Sequence, residues 1–331
     1  NLNAHSVPFN MEADSLNSCI LGNHVKPDDA EFDLFIKEVR KEMTIKCGQK
    51  CTAVRRIFAP EHLMDDVQTA LIGALSKSTK GDPSVEGVRM GALVNAEQKE
   101  EVMSQVRELE SEAECVFRDE TEPMGDVDPA AFMGPILLRM DDPDHATRCH
   151  DVEAFGPVST LMPYRDMDHA IELTNRGKGS LCCSLISHNS IEAKHFVMGT
   201  AVMHGRILVL DRECAKESTG HGSPLPLLVH GGPGRAGGGE EMGGLRGVRH
   251  YMQRTALQGS PTMLSEITQL YHAGGRQTEA QPHLFQQYFE ELVVGHTVTT
   301  AKHTITEADI VNFANVSGDH FYAHVDETSL D

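Results

Sequence analysis

Two cysteines one helical turn apart, Cys47 and Cys51, lie in the stretch IKCGQKCTAVRR, among glycine and positive charge. Such a pair could be a metal clip, a redox couple, inert packing, or the place where one thiol does chemistry. A structural zinc site takes about four ligands and CxxxC supplies two, with no second pair at matching spacing, so no metal is expected. No CxxC pair occurs, and eight cysteines in 331 residues are too sparse for a disulfide framework. A buried, inert thiol is the ordinary fate of a single cysteine and is the expectation for Cys19, Cys115, Cys149, Cys182, Cys183 and Cys214. Cys51 differs in its surroundings: Gly48 leaves room for close approach of a ligand, and Lys50, Arg55 and Arg56 favour a thiolate. Near the other end, Asp319 and His324 follow the stretch TITEADIVNFANVSG. A carboxylate and an imidazole just past a helix end can share the protons of one water. The competing reading is a helix-terminal aspartate beside a surface histidine.

These groups need a scaffold, and the pattern up to residue 260 supplies one. PDDAEFDLFIKEVRKEMTIK sets Phe32, Phe35, Val39 and Met43 on one helical face, with Asp28 and Asp29 at its start. EHLMDDVQTALIGALSKS, AEQKEEVMSQVRELESEA and DMDHAIEL read the same way, while VSTLMPY and RILVL read as strands. The alternation predicts an α/β domain with a mostly parallel sheet. Glycine then dominates HGGPGRAGGGEEMGG, residues 230–244, where the plain reading is a surface loop; no GxxxxGK[ST] phosphate loop is present. QRTALQG, 253–259, is strand-like enough to pair across a subunit boundary. GGRQTEAQPH, 274–283, has linker composition. Beyond it, Thr304 and Glu307 have capping-box spacing, which predicts a helix from there to about Ser317.

GQKCTAVRR resembles the nucleophile segment of the aldehyde dehydrogenase superfamily, and three further stretches follow that family's order. FNMEADSLN is similar to the segment with the general base, EAFGPV at 153–158 to the E-x-F-G-P-V element, and HGGPGRAGGGEEMGG to the late glycine-rich loop. The resemblance implies that Cys51 is the nucleophile and Glu12 the base. It further implies that Glu153 holds the nicotinamide ribose, that Phe155 packs beside the nicotinamide, and that Cys47 is a packed neighbour. NADP is the expected cofactor, with NAD possible. One departure stands out: the family's E-L-G-G-K-S-P is EADSLN here, without its glycines and lysine. The tail resembles the hydratase segment of MaoC-like domains, which adopt a hot-dog (α+β) fold. That resemblance implies Asp319 and His324 as the pair that activates water, with HFYA in place of the usual N-P between them.

The expected organisation is an aldehyde dehydrogenase catalytic domain over 1–273, a linker over 274–283 and the start of a hot-dog domain over 284–331. Together the two parts resemble the fused ring-opening enzymes of phenylacetate degradation. That implies a CoA-thioester substrate, and both families imply a homo-oligomer. The first residue is Asn and the last residues are DETSLD, so the chain reads as a fragment cut at both ends. Without the superfamily's N-terminal half, the resemblance implies that this chain alone has no dehydrogenase turnover. The formal charge of −20 argues against non-specific binding to nucleic acid, and no apolar run approaches membrane-spanning length. No signal peptide opens the chain, and the cysteine usage fits a reducing, cytoplasmic compartment.

Overall fold

Near-continuous apolar strands such as SCIL, RIFAP and VSTLMPY must be covered on both faces, and in the folded chain every residue of these three runs is buried. The structure, a computed structural model, describes residues 3–5, 11–223, 230–237, 240–241, 244–253, 255–268, 270, 272–276, 288–292, 294 and 304–321. It divides into two compact units, Asn1–Met252 and Gln253–Asp331.

The first unit alternates strands and helices. In chain order they are β1 (Ser18–Leu21), α1 (Ala30–Thr44), β2 (Arg56–Pro60), α2 (Met64–Leu75), α3 (Ala96–Leu109), β3 (Glu114–Arg118) and β4 (Ile136–Arg139). Then follow β5 (Val158–Tyr164), α4 (Met167–Asn175), β6 (Ser180–Ile186), α5 (Ser190–Thr200) and β7 (His204–Leu210). The sheet order is β3-β4-β5-β2-β1-β6-β7; only the β3–β4 pair is antiparallel. Alternate strand residues feed two core layers. Ile20, Phe58 and Met162 point to the layer that holds Val102, Val106 and Phe196. Cys19, Leu21, Ile57 and Ala59 point to the layer built on α1 and α2. On α1 the predicted face of Phe32, Phe35, Val39 and Met43 is buried, and Glu38 and Glu42 are buried with it.

The helix starts follow side-chain chemistry. Asn95 caps α3 by accepting from the Gln98 N–H at 2.8 Å, and Asp166 caps α4 by accepting from His169 N–H at 2.9 Å. The glycine-rich stretch is not simply a surface loop. A short antiparallel ribbon joins β8 (His230–Gly231) to β9 (Glu240–Glu241), and Gly231, Gly232 and Ala236 are buried. Helix α6 (Gly244–His250) closes this unit.

In the second unit, α7 spans Pro261–Thr268 and α8 spans Glu307–Ser317. The described residues of 253–259 form no strand. The predicted box at α8 is shifted: Thr306, not Thr304, is the N-cap, and its reciprocal partner is Asp309. Thr306 is extended and adjoins the first helical residue, which is the geometry a cap needs. Among the described residues no helix is long and apolar enough to cross a membrane.

Candidate active site

Three segments that lead into parallel strands meet at the amino ends of those strands: residues 11–17 before β1, 48–55 before β2 and 153–157 before β5. Open parallel sheets usually bind ligands at the carboxyl ends; here the site forms at the opposite rim. A cavity of about 680 Å³ opens there, lined by Glu12, Cys51, Glu153 and Phe155, and further by Gln98, Glu101, Gln105 and Glu108 of α3.

The segment that carries Cys51 is shaped by its backbone. After α1 the chain passes through Lys46, Cys47 and Gly48 in the left-handed region, at φ 53°, 53° and 66°. Such residues persist only where packing over-determines them. Gly48 is required twice over, because a Cβ there would lie 2.2 Å from the Gly156 carbonyl oxygen. The twist turns Cys47 inward, where burial pushes its thiol up to about 12. Cys51, four residues on, is exposed in the cavity.

Two buried side chains hold this segment. Asn17 Nδ2 donates to the carbonyls of Cys51 at 2.8 Å and Ala53 at 3.0 Å, while its Oδ1 accepts from Ser15 Oγ and Cys182 N–H. Arg55 donates from Nη2 to Gly48 O at 2.9 Å, from Nη1 to Gly156 O at 2.7 Å, and from Nε to Glu153 at 3.1 Å. It thereby ties the segment that carries Cys51 to the EAFGPV segment. The expectation that Lys50, Arg55 and Arg56 together favour a thiolate is corrected in part. Arg56 is a core staple that donates to the carbonyls of Leu16, Leu173 and Thr174, and burial lowers its pKa to about 9. Lys50 pairs with the buried Glu42 at 2.8 Å. The field of Arg55 extends to Cys51.

Behind the segment, the neutral imidazole of His221 lies between Cys182 Sγ at 3.2 Å and Ser184 Oγ at 2.5 Å, and burial lowers its pKa to about 3. Glu12 is exposed to the cavity. In its segment, the positions that are glycines in E-L-G-G carry Asp14 and Ser15, and both side chains are engaged. Ser15 Oγ bonds Asn17 and Leu181 N–H, and Asp14 accepts a two-pronged contact from Arg235 of the glycine-rich stretch.

Glu153 is nearly buried and accepts from Ser15 N–H at 2.9 Å and from Arg55 Nε. Desolvation pushes its pKa up, against the pull of Arg55 and of the Ser15 N–H. A carboxylate offers about four lone-pair sites, so acceptor capacity remains for the hydroxyls of a ribose. Phe155, beneath the Arg55 guanidinium at 5.3 Å, adds an aromatic face to the same cavity. A carboxylate beside a flat apolar surface suits the nicotinamide–ribose end of a dinucleotide. Among the described residues no group of three or more side chains could hold a metal ion.

The model of the aldehyde dehydrogenase family matches residues 9–257. The chain belongs to the aldehyde dehydrogenase family. A MaoC like domain matches residues 290–330, so this aldehyde dehydrogenase runs into the start of a second domain. Among curated relatives, "Protein MaoC" of Klebsiella aerogenes is 53% identical over 240 residues, 72% of this chain and 70% of that protein. The 3,4-dehydroadipyl-CoA semialdehyde dehydrogenase of Aromatoleum evansii is 43% identical over 236 residues, 70% of this chain and 46% of that protein. Betaine aldehyde dehydrogenase from Staphylococcus aureus, solved with NAD+, shares the fold at TM-score 0.61 and 23% identity, over 73% of this chain and 44% of that one. Succinic semialdehyde dehydrogenase from Streptococcus pyogenes, solved with NADP+, does so at TM-score 0.58 and 24% identity, over 70% and 47% of the two chains. The fold is thus the aldehyde dehydrogenase α/β fold with its mostly parallel sheet.

Of the residues predicted from sequence, Glu12, Cys51, Glu153 and Phe155 line one cavity. Asp319 lies just past α8, after the left-handed cap Gly318, and its carboxylate accepts from Phe321 N–H. His324 lies outside the described residues. Sequence reasoning missed Asn17, Arg235 and His221. The available signals were polar residues inside the EADSLN block, the glycine-rich stretch and STGHGSP.

Proposed function

We propose that this chain belongs to a two-part enzyme of phenylacetate degradation. Its MaoC-like part opens oxepin-CoA with water, and its aldehyde dehydrogenase part oxidises the resulting 3-oxo-5,6-dehydrosuberyl-CoA semialdehyde to the acid. The observation that carries this reading is that Glu12, Cys51, Glu153 and Phe155 converge on one cavity in a chain that continues into a MaoC-like segment. The similarity to a CoA-semialdehyde dehydrogenase supports a CoA thioester as substrate. Domain limits of 1–273 and 284–331, joined by 274–283, are part of the proposal, as are a cytoplasmic setting and a homo-oligomer.

Cys51 attacks the aldehyde carbon as a thiolate, and the oxygen takes up negative charge that hydrogen-bond donors must meet. Arg55 and Asn17 hold the backbone around Cys51 while this happens. NADP, or NAD in its place, supplies the hydride acceptor when bound, with Glu153 holding its ribose and Phe155 beside its ring. Glu12 removes a proton from water, which then cleaves the acyl-thioester. Asp319 and His324 activate the water that opens the ring at the second site. Tethering the two sites raises the effective concentration of the short-lived aldehyde at the Cys51 site that consumes it.

The test uses the full-length enzyme with oxepin-CoA and NADP, comparing wild type with Cys51→Ala while following reduced cofactor and free aldehyde. Aldehyde that accumulates without reduced cofactor in the variant supports both assignments. Continued cofactor reduction removes Cys51 as nucleophile, and an unopened ring with wild type removes the phenylacetate assignment. A second reading rests on the Aromatoleum relative: oxidation of another acyl-CoA semialdehyde, with the tail as a non-catalytic CoA-binding or oligomerisation module.

A further inference from the structure

The segment that carries Glu12 has little of its own to hold it. Residues 11–17 belong to no helix or strand, and among the described residues no backbone–backbone hydrogen bond reaches residues 11–14. Met11, Glu12 and Ala13 are exposed. A base that must aim a water at one carbon atom needs fixing from outside its own backbone.

Arg235 is the group placed to do so. Its Nε donates to Asp14 Oδ1 at 2.8 Å and its Nη2 contacts Asp14 Oδ2, a fork matched to a carboxylate. The same Nη2 donates to the Asp151 carbonyl at 2.7 Å, and Nη1 reaches the Asp151 carboxylate at 3.4 Å. One guanidinium, only 16% exposed, thus joins the base segment to the residue that precedes Val152 and Glu153. Arg235 is itself held: its N–H donates to Lys178 O at 3.1 Å, inside the turn Gly234–Ala236. Two residues later the backbone touches the base segment directly. Gly237, at φ 109°, approaches so closely that a Cβ there would lie 2.0 Å from Met11 O and 3.4 Å from the Glu12 Cα. Asp14, the partner of Arg235, stands where the E-L-G-G pattern has a glycine.

We propose that Arg235 is a positioning residue for Glu12, governing hydrolysis of the acyl-thioester on Cys51 rather than its formation. The inference rests on the reading of Cys51 as nucleophile and Glu12 as base. In the step concerned, Glu12 takes a proton from water, the hydroxide oxygen forms a C–O bond to the acyl carbon, and the C–S bond breaks. The electron pair of that bond returns to sulfur, and carboxylic acid leaves. The attack that forms the thioester is made by Cys51, whose backbone Asn17 and Arg55 hold through contacts other than those of Arg235.

The experiment needs no cofactor. Full-length enzyme is mixed with p-nitrophenyl acetate, nitrophenolate release is followed through the first and later turnovers, and quenched protein is weighed intact and mapped for the acetylated cysteine. In Arg235→Gln, and in the shape-conserving Asp14→Asn, the first turnover keeps its rate. The steady state slows by about tenfold to a hundredfold, as expected for a reacting group displaced by about 1 Å, and the fraction of chain acetylated at Cys51 rises. Arg235→Lys, which keeps charge but loses the fork, falls between. Acylation and release slowing together, or an unchanged acetylated fraction, would overturn the proposal by reducing Arg235 to a merely structural role. Acetylation that persists undiminished in Cys51→Ala would instead overturn the underlying reading.

Discussion

Replacing Arg55 by Met tests how the Cys51 and EAFGPV segments are held together. Both partners of the central ion pair are withdrawn from water, with side-chain exposures of 3% for Arg55 and 8% for Glu153. Burial lowers the pKa of the one and raises that of the other, so desolvation opposes the charged state on each side. Such a pair adds little over a well-packed apolar replacement, yet removing one partner strands the other. The single variant should lose about 3–5 kcal/mol. Glu153 is left with Ser15 N–H as its described donor, and the Gly48 and Gly156 carbonyls lose their guanidinium. In the double variant Arg55→Met/Glu153→Leu no charge is stranded, so it should be more stable than Arg55→Met alone, with a coupling energy near the top of the roughly 0.5–3 kcal/mol range for touching residues. The chain has no tryptophan, so urea unfolding is best followed by far-UV circular dichroism. A loss below about 1 kcal/mol in the single variant, or singles that add within about 0.5 kcal/mol in the double, would refute the reasoning.

Stability should fall on mild acidification. Burial holds His150, His204 and His221 neutral, with pKa values lowered to about 4, about 3 and about 3. The unfolded chain takes up these protons near pH 6.5 and the folded chain does not, so stability present above about 6.5 is lost as pH drops toward about 4, with a slope approaching 4 kcal/mol per pH unit. A urea midpoint that stays flat from about pH 7 to about pH 5 contradicts this. Gly48→Ala should destabilise by more than the roughly 1–2 kcal/mol of left-handed strain, because its Cβ would also strike the Gly156 carbonyl. A melting temperature equal to wild type would count against that contact. With limiting iodoacetamide, peptide mapping should find Cys51 alkylated well before Cys47, whose buried thiol is pushed up to about 12. The reverse order would show that the cavity is closed to Cys51.

Much of the frame was legible because it depends on local periodicity. The apolar face of α1 and the alternation of helices with buried strands follow from spacing within one element. The cavity residues were legible as four short blocks, each with its own chemical signature. What joins those blocks was not, because it depends on side chains meeting across long stretches of chain. Arg55 reaches Glu153 across 98 positions and Arg235 reaches Asp14 across 221. Arg55 and Arg56 are adjacent and alike in sequence, yet one faces the segment that carries Cys51 and the other staples the segment before β1 to the end of α4. That division follows from strand alternation, and only the strand's start, fixed by pairing with β1 and β5, decides which arginine goes where. The cap of α8 moved by two residues for a similar reason, since several oxygen-bearing side chains competed for one helix start.

The cavity at the amino rim of the sheet draws no residue from the turn at the opposite rim after β1. The turn at 24–28, between β1 and α1, lies at the carboxyl end of its strand, and His24, Lys26, Pro27 and Asp28 are exposed or nearly so. None of its residues lines the cavity. Lengthening such a tip costs little in loop entropy. It is the place where this protein could acquire an extra segment, a tether or a reporter while the geometry around Cys51 is inherited unchanged.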